Sequence, residues 1–205
     1  MISPLPPSDA TAESLPEELI GPRVQLRRYQ ASDAPDVWEA VVESRATLKR
    51  WAPQPASRGS LEEVRAGLVR LESNWDNTVR LVYAVRNRHS GDYLGELGFY
   101  EIDRGRRIAE VGYWLRDGAV GHGYMSEALA ILCRSAFSRL VLARIEALVQ
   151  PGNERSLKTT ESAGFHLAGF VPRRPERDGQ DSDEMCVYVL DDPESVGPPP
   201  NLEVC

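Results

Sequence analysis

The chain has 205 residues, 41% hydrophobic and 27% charged, which fits one globular domain with tails. Its net charge of −7 argues against bulk binding of a nucleic acid backbone and suits a cationic partner such as an amine. No apolar run reaches the ~20 residues of a membrane span, residues 1–19 lack the segments of a signal peptide, and Cys133, Cys186 and Cys205 are too scattered for a disulfide framework or a metal site. The default expectation is therefore a reducing, cytoplasmic setting, with no metal, no membrane and no nucleic acid among the partners.

Residues 1–20, rich in Pro, Ser, Ala and Glu without a period, are expected to form a disordered tail. The domain is expected over 21–190, and 191–205 reads as a flexible C-terminal tail. Val24–Tyr29 alternates as a first strand. Ser32 or Asp33 caps a helix to about Ser44, with Val37, Trp38 and Val41 on one face. Ser60-Leu-Glu-Glu63 is a capping box, and the helix it opens carries a stripe of Leu61, Val64, Leu68, Leu71 and Trp75. Arg80–Arg86, Tyr93–Glu101 and Ile108–Leu115 are strands joined by short polar links containing glycine, the pattern of an antiparallel meander.

A glycine-rich loop follows, then a helix to about Ser138 with Met125, Ala128, Leu129, Leu132, Cys133, Ala136 and Phe137 on its apolar side. Arg144–Val149 is the next strand. A β–helix–β crossover places it parallel to Ile108–Leu115. Asn153 caps a short helix to Ala163, and Gly164 closes it. His166–Val171 and Met185–Leu190 are the last strands. The sum is an α/β fold around a mixed sheet.

The stretch from Trp114 to Ala128 carries most of the chemistry. A strand runs through a glycine-rich loop into the start of an amphipathic helix. A helix start leaves N–H groups unpaired and carries partial positive charge, so it holds anions, and glycines let the backbone come close. This predicts a site for a phosphate-bearing molecule. Gly118, Gly121 and Gly123 read G-x-x-G-x-G, the reverse of the dinucleotide fingerprint, and the strands before them look antiparallel, so a dinucleotide fold fits poorly.

Three groups of residues, taken in order, resemble the GNAT superfamily of N-acetyltransferases, in the branch of the ribosomal-protein Nα-acetyltransferases RimJ and RimL. They are Leu26-Arg27, Asp33-Ala34, Ser44-Arg45, Leu48 and Trp51; Glu110-Val-Gly-Tyr-Trp-Leu115 with Gly121-His-Gly-Tyr-Met-Ser-Glu-Ala128; and Asn153-Glu-Arg-Ser156 with Ala163-Gly-Phe165. The resemblance implies a central mixed sheet of about seven strands with about four helices. It also implies acetyl-CoA as cosubstrate and an amine as acceptor. It leaves the oligomeric state open, with a homodimer among the arrangements found in such families.

In this superfamily the diphosphate sits on a Q/R-x-x-G-x-G/A loop, which here is Val120, Gly121, His122, Gly123, Tyr124 and Met125. Valine in the Gln/Arg position removes one polar side chain but none of the main-chain N–H groups. The backbones of Tyr113, Trp114 and Leu115 are implied to hold the pantetheine arm along an opened strand edge, where Gly112 suits a close approach. The side chains of Tyr113 and Trp114 also fit ordinary core packing, and His122 fits a solvent-facing loop position.

Transfer needs a neutral amine, a stabilised oxyanion and a proton for the departing thiolate. About one-tenth of an α-amine is neutral at pH 7, against fewer than roughly one lysine in a thousand. Ser156 is the candidate proton donor, as in RimL-like members; alternatively it bonds a local backbone group. Many other members carry a Tyr further along this helix, where this chain has Thr160. Asn153 caps the helix and touches the CoA arm. Glu110 is the first choice for the base, with an ion pair to Arg104, Arg106 or Arg107 as the other reading. Glu96 and Glu176, the latter in the 172–183 loop where RimL-like proteins contact substrate, are further acceptor-side candidates. Trp51 is implied to wall the acceptor site, through a cation–π contact or simple packing. The favoured acceptor is a protein N-terminal α-amine. A small amine (aminoglycoside, polyamine or amino-acid derivative) and a CoA-binding protein without turnover stay open.

Overall fold

The structure, a computed structural model, describes residues 14–173 and 184–197. Among them eight strands form one mixed sheet in the order β1-β2-β3-β4-β5-β6-β8-β7. The strands are β1 (Glu18–Ile20), β2 (Val24–Arg28), β3 (Leu81–Asn87), β4 (Tyr93–Asp103), β5 (Ile108–Leu115), β6 (Arg144–Val149), β7 (His166–Pro172) and β8 (Glu184–Leu190). The helices are α1 (Ala34–Glu43), α2 (Arg45–Trp51), α3 (Pro53–Ala56), α4 (Leu61–Asp76), α5 (Tyr124–Arg139) and α6 (Glu154–Ser162). Neighbouring strands are antiparallel except β5 and β6, the pair joined by the α5 crossover.

Each sheet face has its own core. On one side Val37, Val41, Val64 and Leu68 of α1 and α4 pack with Tyr29, Tyr93 and Trp114. On the other, the Leu129, Leu132 and Cys133 stripe of α5 packs on Leu97, Phe99, Val111 and Ile145. Alternation along β5 thus sends Ala109, Val111 and Tyr113 toward α5 and Trp114 toward α1 and α4.

The expected counts of seven strands and four helices fall short. The added strand is β1, three residues too short to show alternation, paired from Glu18↔Arg27 to Ile20↔Gln25. Leu15 is buried just before it, and Tyr83 donates its hydroxyl hydrogen bond to the Pro16 carbonyl at 2.6 Å. The added helices are α2 and α3, which turn the chain around Ser44 and the two prolines Pro53 and Pro55. The domain boundaries also move outward. Residues 18–20, expected in a tail, are in the sheet, and 193–197, expected in the other tail, pack on α5 and α6. A Cβ on Gly164 would lie 1.9 Å from the Ser195 carbonyl oxygen, and Arg134 donates to the Gly197 carbonyl at 2.6 Å. The capping box shifts by one residue: Ser60 accepts from the Glu63 amide, while the Glu63 carboxylate accepts from Gly59.

Candidate active site

Strands β5 and β6 pair only from Ile108↔Arg144 to Val111↔Ala147. Beyond that point Gly112–Leu115 stay with β4 (Gly98↔Gly112 to Gly95↔Leu115), while Leu148 and Val149 follow β8. Each strand keeps its outer neighbour while the β5–β6 ladder stops, and a wedge opens between them. The register irregularity lies in β4, not β5. Tyr100 is the extra residue between Phe99↔Val111 and Glu101↔Glu110. Its ring lies over Gly112, where a Cβ would come within 3.0 Å of it.

The wedge opens into a cleft of about 1530 Å³ whose walls include Trp51, Glu96, Glu110, Tyr113, Trp114, Leu115, Val120, Met125, Asn153 and Ser156. Ten candidates scattered over the sequence therefore meet at one place. Gly121, His122, Gly123 and Tyr124 form the loop between Val120 and Met125 and are not wall residues. Glu176 lies outside the described residues.

The loop is built for main-chain contacts. Gly121 and Gly123 take φ of 90° and 73°, conformations that an L side chain resists. Gly123 is the N-cap of α5 and supplies no side-chain acceptor, so the first-turn amides of the helix are left for another partner. The loop is anchored at both ends. In front, Arg116 pairs with Glu39 and Glu43, and Gly118 N–H donates to Glu43 at 2.8 Å. The hydrogen bond from Arg116 holds the Glu43 carboxyl below its ordinary value. Behind, the buried Glu127 accepts from Arg23 N (2.8 Å), Val24 N (3.1 Å) and Arg23 Nε (2.8 Å). Arg23 Nη1 in turn donates to the His122 carbonyl at 2.9 Å, drawing that oxygen to the back of the loop. His122 itself is exposed beside the Tyr124 ring.

Asn153 caps α6 by accepting from Ser156 N at 3.3 Å. The Ser156 hydroxyl is bonded to the Tyr113 hydroxyl at 2.9 Å, and the same phenol reaches Thr160 Oγ1 at 2.8 Å. Thr160 also donates to the Ser156 carbonyl at 2.9 Å. Tyr113 is therefore more than core packing: it ties β5 to α6 at the position of the candidate proton donor. Burial raises its phenol above the usual value, so it stays protonated and able to donate.

On the α1 and α4 side, Glu96 is only 3% exposed. One carboxylate oxygen accepts from Tyr100 and the other from Tyr29 (3.0 Å), and Tyr29 is bonded to Tyr93 at 2.6 Å. Burial, then the Glu96 charge, pushes the phenols of Tyr29, Tyr93 and Tyr100 well above their ordinary value. Arg58 lines the same chamber, and its Nη1 is buried without a hydrogen-bond partner. Trp114 Nε1 and Gln150 Oε1 are likewise buried and unpartnered in the cleft wall. Arg58 and Gln150 were not legible as site residues, because a lone Arg after a proline turn and a Gln ending a strand carry no spacing signal. Trp51 walls the cleft, with the Arg50 guanidinium 4.4 Å from its ring centroid.

A splayed parallel pair beside a glycine-rich helix start, in a sheet of this order, defines the GNAT fold. The chain belongs to the acetyltransferase (GNAT) domain family, whose sequence profile matches residues 23–166. YjcK of Bacillus subtilis strain 168, a protein carrying an N-acetyltransferase name, is 35% identical over 98 residues, 47% of this chain and 54% of its own. The chain thus spans about half the length of that relative. Mycobacterium smegmatis RimJ, solved with a CoA disulfide, superposes with a TM-score of 0.76 at 22% identity over 90% of both chains. RimL, a ribosomal L7/L12 α-N-protein acetyltransferase solved with coenzyme A, gives 0.77 at 22% identity over 88% of this chain and 99% of its own. At that identity the likeness is one of fold. Among the described residues no helix is long and apolar enough to cross a membrane.

Proposed function

We propose that the chain is an acetyl-CoA-dependent N-acetyltransferase. The observation that carries this is the wedge. An unpaired β5 edge, Gly112–Leu115, begins where pairing with β6 stops and leads to the loop amides at the start of α5. Acetyl-CoA, when bound, supplies a thioester whose carbonyl an amine attacks directly. The backbone N–H groups between Val120 and Met125 hold its diphosphate, helped by the α5 dipole and needing no side chain at the Val120 position. The free β5 edge at Tyr113, Trp114 and Leu115 holds the pantetheine amides in the manner of an added strand.

The catalytic roles divide by sheet face. Ser156, whose hydroxyl is positioned by the Tyr113 phenol oxygen, delivers its proton to the departing thiolate. Glu110, opposite Glu146 just before the point of divergence, takes the proton of the attacking amine. Glu96 and its phenols orient that amine, and Trp51 walls its approach. The acceptor that fits best is a protein N-terminal α-amine, supported by the RimJ and RimL folds and by the larger neutral fraction of α-amines. The test is thiol release from acetyl-CoA against N-terminal peptides and small amines. Peptides as the better acceptors are the expected result. Release with small amines alone would move the assignment to a small-molecule acetyltransferase. CoA binding without release on any acceptor would leave a CoA-binding protein.

A further inference from the structure

The acceptor half of the cleft also carries guanidinium groups, which an ammonium group does not pair with. Arg58, Arg70 and Arg80 all line it, in a chain whose net charge is −7. Two of them converge on α4 at Gly67. A Cβ there would lie 3.8 Å from Arg70 Nη2 and 4.0 Å from Arg58 Nε, in ordinary contact with both, so the two guanidinium groups reach the same turn of α4. Arg80 sits over the Tyr100 ring, 5.9 Å from its centroid.

Arg58 is half-buried near Glu96, whose charge holds its pKa up against burial, while Arg70 and Arg80 are exposed. Among the described residues neither Arg58 nor Arg70 forms a salt bridge, while Arg23, Arg27, Arg28, Arg86 and Arg116 all do. Glu63 accepts the Gly59 amide on one oxygen and Glu96 accepts one phenol hydroxyl on each, and neither carboxylate makes a direct ion pair with Arg58 or Arg70. Arg58 Nη1 is shielded from solvent with no partner, which costs free energy unless a ligand supplies an acceptor. Glu96 retains lone pairs, since a carboxylate accepts up to about four hydrogen bonds. A cation acceptor and an anion clamp thus face one chamber.

We infer that the acceptor is a primary amine that also carries an anionic group, a carboxylate or phosphate, gripped by Arg58 and Arg70 while Glu96 receives the ammonium end. This rests on the N-acetyltransferase assignment and narrows its substrate. An amino acid, a peptide with an acidic first residue and a phosphorylated amine share the required chemistry. An uncharged amine leaves Arg58 unsatisfied, and a polyamine or aminoglycoside meets its charge.

The test uses matched pairs that differ only in the anion: β-alanine against β-alaninamide, Asp-Ala-Phe amide against Asn-Ala-Phe amide, and O-phosphoethanolamine against ethanolamine. Each is assayed for thiol release from acetyl-CoA and titrated calorimetrically onto the CoA-loaded protein. The anionic member of at least one pair should be favoured about 10- to 100-fold in kcat/KM or in affinity, the worth of a charge-assisted hydrogen bond. The favoured pair identifies the source of the anion. Arg58→Met should bring that ratio toward one, Arg70→Met should lower it, and Arg58→Lys should restore part of it, with CoA affinity as the control for folding. Equal use of both members in all pairs, or a ratio unmoved by Arg58→Met and Arg70→Met, overturns the inference. Arg58-dependent binding of an anionic amine without thiol release on any acceptor would support the subsite while removing the transferase assignment.

Discussion

Replacing Glu127 by Gln tests how the loop at the start of α5 is held. Glu127 is fully buried and accepts three hydrogen bonds, two from the backbone at the head of β2 and one from the Arg23 side chain. Glutamine keeps the size and one carbonyl oxygen, so Arg23 N and Val24 N retain their acceptor. Its amide nitrogen then faces Arg23 Nε, donor against donor, and the guanidinium loses its counter-charge. Breaking a buried ion pair from one side costs about 3–5 kcal/mol. The Arg23 side chain is 23% exposed, which favours the lower end, about 3 kcal/mol. At roughly 2–4 °C per kcal/mol for a chain of this size, Tm should fall by about 6–12 °C. Arg23 also tethers the His122 carbonyl, so CoA affinity should drop by about tenfold, or 1.4 kcal/mol. Differential scanning calorimetry and CoA titration read the two effects. A double-mutant cycle with Arg23→Met should show coupling above about 1 kcal/mol. A Tm loss below about 2 °C with unchanged CoA affinity would refute the claim that this pair holds the loop.

Tyr113→Phe removes the phenol that bonds Ser156 and Thr160. It should cost about 1–2 kcal/mol of stability in urea unfolding and lower kcat more than it raises KM; Ser156→Ala should lower kcat further, and an unchanged kcat in both would remove Ser156 as proton donor. Gly112→Ala puts a methyl group against the Tyr100 ring and displaces the phenol that bonds Glu96, so the KM for acceptor should rise; a wild-type KM would show that the ring yields harmlessly. Above pH 10 the protein should lose stability steeply. The phenols of Tyr29, Tyr93 and Tyr100 are raised in the fold, so the unfolded chain releases those protons first. Their contribution is complete below pH 10 and is lost as pH climbs toward the folded values, by up to about 1.4 kcal/mol per pH unit for each phenol; a Tm flat from pH 9 to 11 would contradict the buried phenol cluster.

What could be seen beforehand was what repeats locally. The Leu61, Val64, Leu68 stripe, the α5 stripe and the alternation of β5 each declare a face, so α4, α5 and the meander were legible within a residue or two. The loop was legible because glycine at positive φ beside a helix start has one main physical use, and Asn153 because a cap leaves a spacing signature. By contrast, β1 has three residues and draws its stability from pairing with β2, which local pattern cannot reveal. The same holds for residues 193–197, fixed by their close approach to Gly164.

The hidden half of the site is hidden for a related reason. Glu96 is surrounded by phenols from β4 and from Tyr29 just after β2, contacts separated by up to 67 residues in sequence. Arg58 joins them from a turn after α3. Nothing local marks Arg58, while Glu96 and Glu110 stood out only because their strands did. The two faces of the sheet therefore differ in kind. The donor side is written in backbone geometry, which short motifs encode. On the proposed assignment the acceptor side is written in side chains gathered from separate elements, so specificity can change there without disturbing the donor site. That separation explains why the sequence points clearly to the donor and weakly to the acceptor. It also means that Arg58 and Arg70 substitutions should alter which amine is used while leaving the grip of the α5 loop on CoA as it was.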